Sequence, residues 1–367
     1  MRENIKNRKW RRRAEFFSSL LLTFAIFLVL LSQRTYAQLS NDDCKTCHGK
    51  KDFHKMLPDG TIRSLYIDFN LFSKSAHKSE RCIYCHIDVK EFPCKTPLQQ
   101  VDCQRCHYKG NLAGAPSSER YRQYQESIHG MARMAGNTKA PICQDCHGSH
   151  YIFHKDNPLS KTNQENIPRN CGRCHVDIYS VYQSSIHGLA VEKEKKYEAA
   201  TCTDCHTEHT IRRHTDLSSS VYVSQVSATC ARCHANMDLL RKFGIPIEAV
   251  ETYKESFHGV ASKFGAKTAA NCPSCHGYHD ILPAKDPRSS INPSHLPKTC
   301  GKCHPGASKN FAKGKVHINP SKKEAGIIYY VAQFFKYLTL SVMIALVLHI
   351  ILDLRKRYKI KKTVGKE

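Results

Sequence analysis

Apolar residues gather near the two ends of this chain. One run covers about residues 16–31, and a second, mostly apolar, covers 326–354. Between them lies a stretch, residues 38–325, dense in Cys and His, for which short helices and long loops with little or no sheet are expected. The first run follows a basic segment (Lys6, Arg8, Lys9, Arg11, Arg12, Arg13) and precedes Thr35-Tyr36-Ala37, a small-x-Ala cleavage site. Residues 1–37 therefore read as a secretory signal peptide; the competing reading is an uncleaved N-terminal anchor. The second run is long enough to span a bilayer with some tilt. Its only charges are Lys336, placed to snorkel at the outer end, and Asp353 at the inner end. Tyr329, Tyr330 and Tyr337 suit the outer interface, and the basic tail 355–367 follows directly. The positive-inside rule puts that tail in the cytoplasm and residues 38–325 on the outer face. A buried core helix is the competing reading.

Cysteine spacing brings in the chemistry. Of nineteen Cys, eighteen fall into nine Cys-x-x-Cys-His units. These are Cys44–Cys47–His48, Cys82–Cys85–His86, Cys103–Cys106–His107, Cys143–Cys146–His147 and Cys171–Cys174–His175. They continue with Cys202–Cys205–His206, Cys230–Cys233–His234, Cys272–Cys275–His276 and Cys300–Cys303–His304. This unit attaches c-type haem (haem c): two thiols add to the porphyrin vinyl groups, and the adjacent His is the proximal ligand to iron. Structural zinc joins a Cys-x-x-Cys to a second pair or to two spaced His and gives no reason for nine adjacent His. A disulfide framework gives none either. The leftover Cys94 is expected to be a small buried residue rather than a reactive thiol.

The middle of the chain repeats. Tyr-x-x-Ser-x-His-Gly leads to one unit with a His three residues after its last His, and then to a second unit. The copies begin at Tyr124, Tyr182 and Tyr253, and cover about 120–175, 178–234 and 249–304. Their two units are always 28 residues apart. Phe72-x-x-Ser75-x-His77 marks a degraded copy in the divergent part 44–107. An electron-carrying iron needs a second axial ligand that does not exchange. The recurring His129, His187, His258, His150, His209 and His279 are the first candidates, and His77, His317 and His54 the next. His154, His214 and His295 complete the pool outside the apolar helix, which holds His349. Any one of these alone is as well read as a propionate partner or a surface residue; the repeated position sets the six apart. The run around each distal His is expected to end a short helix with the Gly as C-cap, its Tyr packing on a haem face.

Composition then changes the picture in two ways. At about 32 residues per haem an ordinary apolar core cannot form, so a mainly α, haem-cored fold is expected, plus the C-terminal transmembrane helix. The net charge of +24 falls to +18 without residues 1–37. Nine haems, each about −1, take it to roughly +9, so no nucleic-acid partner is inferred.

The run Ser-x-His-Gly, Cys-x-x-Cys-His-Gly-x-His, Cys-Gly-x-Cys-His, seen at 127–175 and 256–304, resembles bacterial periplasmic multihaem cytochromes c of the doubled type. The likeness covers about residues 44–317. It implies a haem subunit at the inner membrane that docks on a cytochrome b-like or quinone-reactive subunit and exchanges electrons with periplasmic redox proteins. The Lys-ending unit of ammonia-forming nitrite reductases is absent, which favours a carrier over an enzyme. The alternative is a multihaem oxidoreductase with one open haem, at Cys44, acting on a small nitrogen or sulfur oxyanion. Intact-mass spectrometry of the exported protein should exceed the mature chain by nine haem masses; eight, with one free Cys pair, would show an unused motif.

Overall fold

The computed structural model describes residues 39–364, apart from 96, 113, 117, 118 and 315, with side chains described as far as 359. The expected signal peptide lies outside the described residues. The described residues form two compact units, one running as far as Cys106 with His150–Ile152 added, the other made of His107–Ser149 and the chain from Phe153 onward. Both are mostly short helices joined by loops.

In the first unit, Asn41–His48 is a helix with a reciprocal cap: Ser40 accepts from the Asp43 N–H while the Asp43 carboxylate takes the Ser40 N–H at 2.7 Å. A small antiparallel hairpin follows, His54–Met56 against Ile62–Ser64, pairing Lys55 with Arg63. Cys94 sits on an exposed loop and is only partly covered, close enough to Cys44 for the two thiols to interact. Cys94 is half-covered, so the expected burial is not met.

The second unit carries the three copies apart from His150–Ile152, and each is built on the same local plan. The first motif of each copy is a five-residue helix: Cys143–His147, Cys202–His206 and Cys272–His276. Asp145, Asp204 and Ser274 accept from the N–H of Ile142, Thr201 and Asn271 at the helix start, which satisfies donors that otherwise have no partner. Each helix stops at one residue with positive φ and extended ψ: Gly148 (90°, 179°), Thr207 (68°, −178°) and Gly277 (85°, 178°). That region of backbone space is nearly restricted to glycine. The second motifs lie on the helices Ile167–Gly172, Val226–His234 and Leu296–Gly301. Arg173 and Arg232 donate from there to the carbonyls of Asp145 and Asp204, tying the two motifs of one copy together. In the third copy, where Lys302 takes the place of the Arg, Ser290 donates to the Cys275 carbonyl instead.

The Ser-x-His-Gly run starts a helix rather than ending one. Ser127, Ser185 and Ser256 are N-caps that accept from the N–H of Gly130, Gly188 and Gly259 at 3.1–3.2 Å. None of these glycines has positive φ. Each is needed because a Cβ would stand 2.0 Å from the carbonyl oxygen of Tyr124, Tyr182 or Tyr253. The expected C-cap role is thereby corrected: the chain turns sharply at Ser, and Gly lets the two helices meet at the corner. The Tyr hydroxyls are struts. They donate to the carbonyls of Pro141, Ala200 and Ala270, each two residues before the next motif.

Eleven apolar residues are buried among those described, and ten polar ones, mostly Ser and Thr, are buried beside them. A core of that make-up cannot hold a chain of this length against its conformational entropy. The C-terminal helix, Ile327–Val364, is continuous for 38 residues, about 57 Å. Its apolar part is wholly uncovered and long enough to cross a membrane. The basic tail continues the helix as far as Val364, beyond the expected end of the apolar span, helped by the Arg357–Asp353 pair at 2.8 Å.

Thr207→Gly should relieve about 1 kcal/mol or more of backbone strain and raise the denaturant midpoint. Gly188→Ala should lower it, because backbone and not a flexible side chain blocks the new methyl. A lower midpoint for Thr207→Gly would mean that the Thr210–Thr207 hydroxyl contact at 2.9 Å outweighs the strain.

Candidate metal centres

The loops and caps above bring histidines together in pairs, each joining a motif His to a distal candidate. Within the first unit the rings of His86 and His150 have centroids 6.2 Å apart. In the second unit His129–His175 stand at 6.1 Å, His147–His209 at 5.9 Å and His187–His234 at 6.2 Å. His206–His279 and His258–His304 both stand at 6.0 Å, and His276–His317 at 6.2 Å. The angle between ring planes runs from 9° to 58° across the same pairs. The separation is held while the rotation is not. Rings in direct contact show the opposite coupling, since tilt and offset change their spacing. Two imidazoles at about 2.0–2.1 Å from one metal ion have centroids roughly 6 Å apart, whatever their twist about the common axis.

The surroundings suit neutral imidazole, the form that ligates. Burial pushes His86, His129, His147, His150, His206, His209, His234, His258, His276 and His279 below the usual histidine range, and His187 to about 4. The Nδ1 atoms of His86 and His209 are buried with no hydrogen-bond partner among the described residues, that of His209 lying 3.8 Å from a Glu208 carboxylate oxygen. No three His, Cys, Asp or Glu side chains among the described residues converge as a metal cage. The tetrahedral thiolate set favoured by zinc is therefore not built here. A metal that needs only two axial ligands from the chain and takes the rest from a porphyrin does fit, and the free thiols beside each pair suit its attachment.

The pairs follow a rule that the sequence did not reveal. The Ser-x-His histidine of each copy faces the second motif of its own copy: His129 with His175, His187 with His234, His258 with His304. The Gly-x-His or Thr-x-His histidine faces the first motif of the copy before: His209 with His147, His279 with His206. His150 likewise faces His86 of the degraded copy, and His317 closes the series on His276. Backbone bonds reinforce the interlock. Ala76, Ile128 and Ile186, each preceding a Ser-x-His histidine, donate to the carbonyls of Ile152, Ile211 and Ile281 at 2.7–2.8 Å.

The other histidines have surroundings of their own. His54 is exposed on the hairpin, with Nδ1 at 2.6 Å from the Asp52 carbonyl. His77 is half-buried behind the buried Ser75. His48 has Nδ1 on the Leu65 carbonyl at 2.7 Å and its ring edge-on to Phe53, which leaves Nε2 directed elsewhere. His107 has Nδ1 at 3.3 Å from the Pro116 carbonyl. His154 pairs with Asp156, His295 contacts the Ser289 carbonyl, and His214 is exposed, so these read as surface and loop residues.

Thiols of successive motifs are neighbours. The thiols of Cys44 and Cys82, of Cys171 and Cys202, and of Cys230 and Cys272 lie close enough to influence each other. Cys85 interacts with Cys106, Cys146 with Cys171, Cys205 with Cys233, and Cys275 with Cys300. Burial pushes Cys82 up to about 12 and Cys146 to about 11. Within each unit the motifs thus run in chain order, like beads touching in a file. Nothing in the spacing of the motifs foretold this.

Comparison with known proteins agrees with the thiol and histidine chemistry. Residues 29–109 match the family described as cytochrome c7 and related cytochrome c. That stretch holds the three motifs outside the full repeats. The high-molecular-weight cytochrome c of Nitratidesulfovibrio vulgaris is 25% identical over 211 residues, which is 53% of this chain and 31% of that protein. The chain thus aligns with less than a third of that relative's length. No solved structure matches the chain. The chain is mostly helical, cytochrome c7-like over residues 29–109, and similar over half its length to a high-molecular-weight c-type cytochrome.

Proposed function

We propose that this chain is an extracytoplasmic electron carrier holding nine covalent c-type haems, anchored in the inner membrane by its C-terminal helix. It would link a membrane cytochrome b-like or quinone-reactive subunit to periplasmic redox proteins. The observation that carries the reading is the set of seven histidine pairs at 5.9–6.2 Å. When bound, haem supplies a one-electron centre; the chain supplies two neutral imidazoles on either side of it. Two imidazoles exclude exchangeable ligands, and rigid ligation keeps rearrangement small when charge changes. The caps at Ser127, Ser185 and Ser256 and the Tyr struts fix the distal rings. The contacts between successive thiols keep neighbouring motifs close enough to exchange electrons.

A second reading, an oxidoreductase with one open haem, draws on His48. It lies outside the repeats, in the single motif that precedes them. Stoichiometric binding of cyanide or nitrite by the wild-type protein would favour this reading. The carrier reading expects low-spin ferric signals with little high-spin iron.

The pairing can be tested by combining variants. His209→Ala should convert about one haem to high-spin. Removing the attachment site with Cys143→Ala and Cys146→Ala should abolish that signal, because His209 faces His147. Removing Cys202 and Cys205 in the same way should leave it. The reverse result would show that each copy ligates its own first haem. His187→Ala should open the haem at Cys230 in the same sense.

His349 lies within the apolar helix, toward its cytoplasmic end, with its side chain uncovered. A polar residue at that depth usually faces protein, and an interfacial His is the competing account. If a cytochrome b-like partner packs there, His349→Leu should abolish quinol-driven reduction and leave all c-haems attached. Unchanged reduction would return His349 to the interface.

A further inference from the structure

The last copy differs from the others in two ways that concern the membrane. Its first motif is paired with His317, which belongs to no repeat. His317 stands only ten positions before Ile327, where the long helix begins. The strap between them, residues 317–326, is fastened to the last copy. His317 Nδ1 lies 3.3 Å from the hydroxyl of buried Thr252, and Lys322 Nζ lies 2.7 Å from Glu248 Oε1. Ala325 is buried, and Gly326 turns the chain into the helix with φ of 62°. Fully extended, ten steps reach about 35 Å at most, and the 3₁₀ turn Lys323–Ala325 shortens that.

The second difference is an uncovered apolar edge. In the first two copies Ile128 and Ile186 bond to the following copy. The third has no following copy, and the equivalent Phe257 is 85% exposed, with Phe264 at 83%. Seven positions apart at the two ends of one short helix, they share a face. From Cys300 to Gly326 the chain carries six Lys and one acid, Glu324; Lys309, Lys313 and Lys323 are exposed. Exposed aromatic rings and exposed lysines in the stretch of chain that leads into an apolar helix match the chemistry of an anionic lipid surface.

We propose that the third copy is seated on the outer lipid surface through Phe257, Phe264 and the strap, and that His276 and His317 form the centre held nearest the bilayer. This rests on the carrier reading and adds which centre faces the membrane partner.

The test uses full-length holoprotein in phosphatidylcholine–phosphatidylglycerol vesicles containing a phospholipid with a photoactivatable headgroup. Mapped adducts should fall on residues 257–264 and 309–326 and be missing from residues 120–147 of the first copy. Adducts on 120–147 in place of those would overturn the proposal. Phe257→Ser with Phe264→Ser should lose most of the label on 257–264 with the haem mass unchanged; undiminished label there would also overturn it. A second arm reads the centre itself. His317→Ala should create one high-spin ferric signal, and a lipid-anchored Ni(II) chelate should raise its half-saturation power several-fold. The signal created by His129→Ala should not respond. Equal responses would overturn the seating, whereas no new high-spin signal in either variant would count against the carrier reading.

Discussion

The separation of two imidazole rings by one metal's width is the constraint on which the rest of this molecule depends. Eleven buried apolar residues cannot order a chain of this length. What recurs instead is a fixed distance between a motif histidine and a partner brought from elsewhere. Every local device serves that distance. The Ser caps start the distal helices, the glycines at positions 130, 188 and 259 let them turn, and the Tyr hydroxyls brace them against the entry to the next motif. The backbone tolerates an unfavourable Thr207 at one of these corners because the surrounding hydrogen bonds leave it no alternative.

The second organising fact is that copies do not complete themselves. One distal histidine stays within its copy, and the other reaches back to the copy before. A copy therefore has no separate stability to speak of; its first centre is finished only by its successor. This explains why the residue before each Ser-x-His histidine also makes a backbone bond forward. The same contact surface that delivers the ligand carries the strand-like bond that holds two copies in register. It also explains why the last copy looks different, with Phe257 bare where Ile128 and Ile186 are engaged.

Much of this could be read in the sequence, because covalent chemistry has strict spacing. Cys-x-x-Cys-His is a local pattern, so all nine motifs were legible, as were the repeats and the six recurring distal histidines. The apolar helix was legible from its length and flanking charges. Partner choice was not, since His209 and His147 are 62 positions apart and only a folded loop joins them. The glycine of Ser-x-His-Gly misled for a related reason. A Gly after a helical pattern usually marks a stop, but here its purpose is a close approach to a carbonyl that the sequence cannot show. Cys94 is a third case: burial of a small residue depends on what the fold brings over its loop, and here the cover is only partial.

The backward-reaching ligand has a consequence for how such an array can lengthen. A duplicated copy inserted between two existing ones receives its missing histidine from the neighbour downstream and gives one to the neighbour upstream. No centre is left open by the insertion. Under the proposed ligation, growth by internal duplication is neutral for coordination and adds two haem-attachment motifs at each step. Only the terminus needs a dedicated closing residue, and His317 is that residue here. Deletion at the C-terminal end is the costly change, since it strands the first centre of whichever copy becomes last.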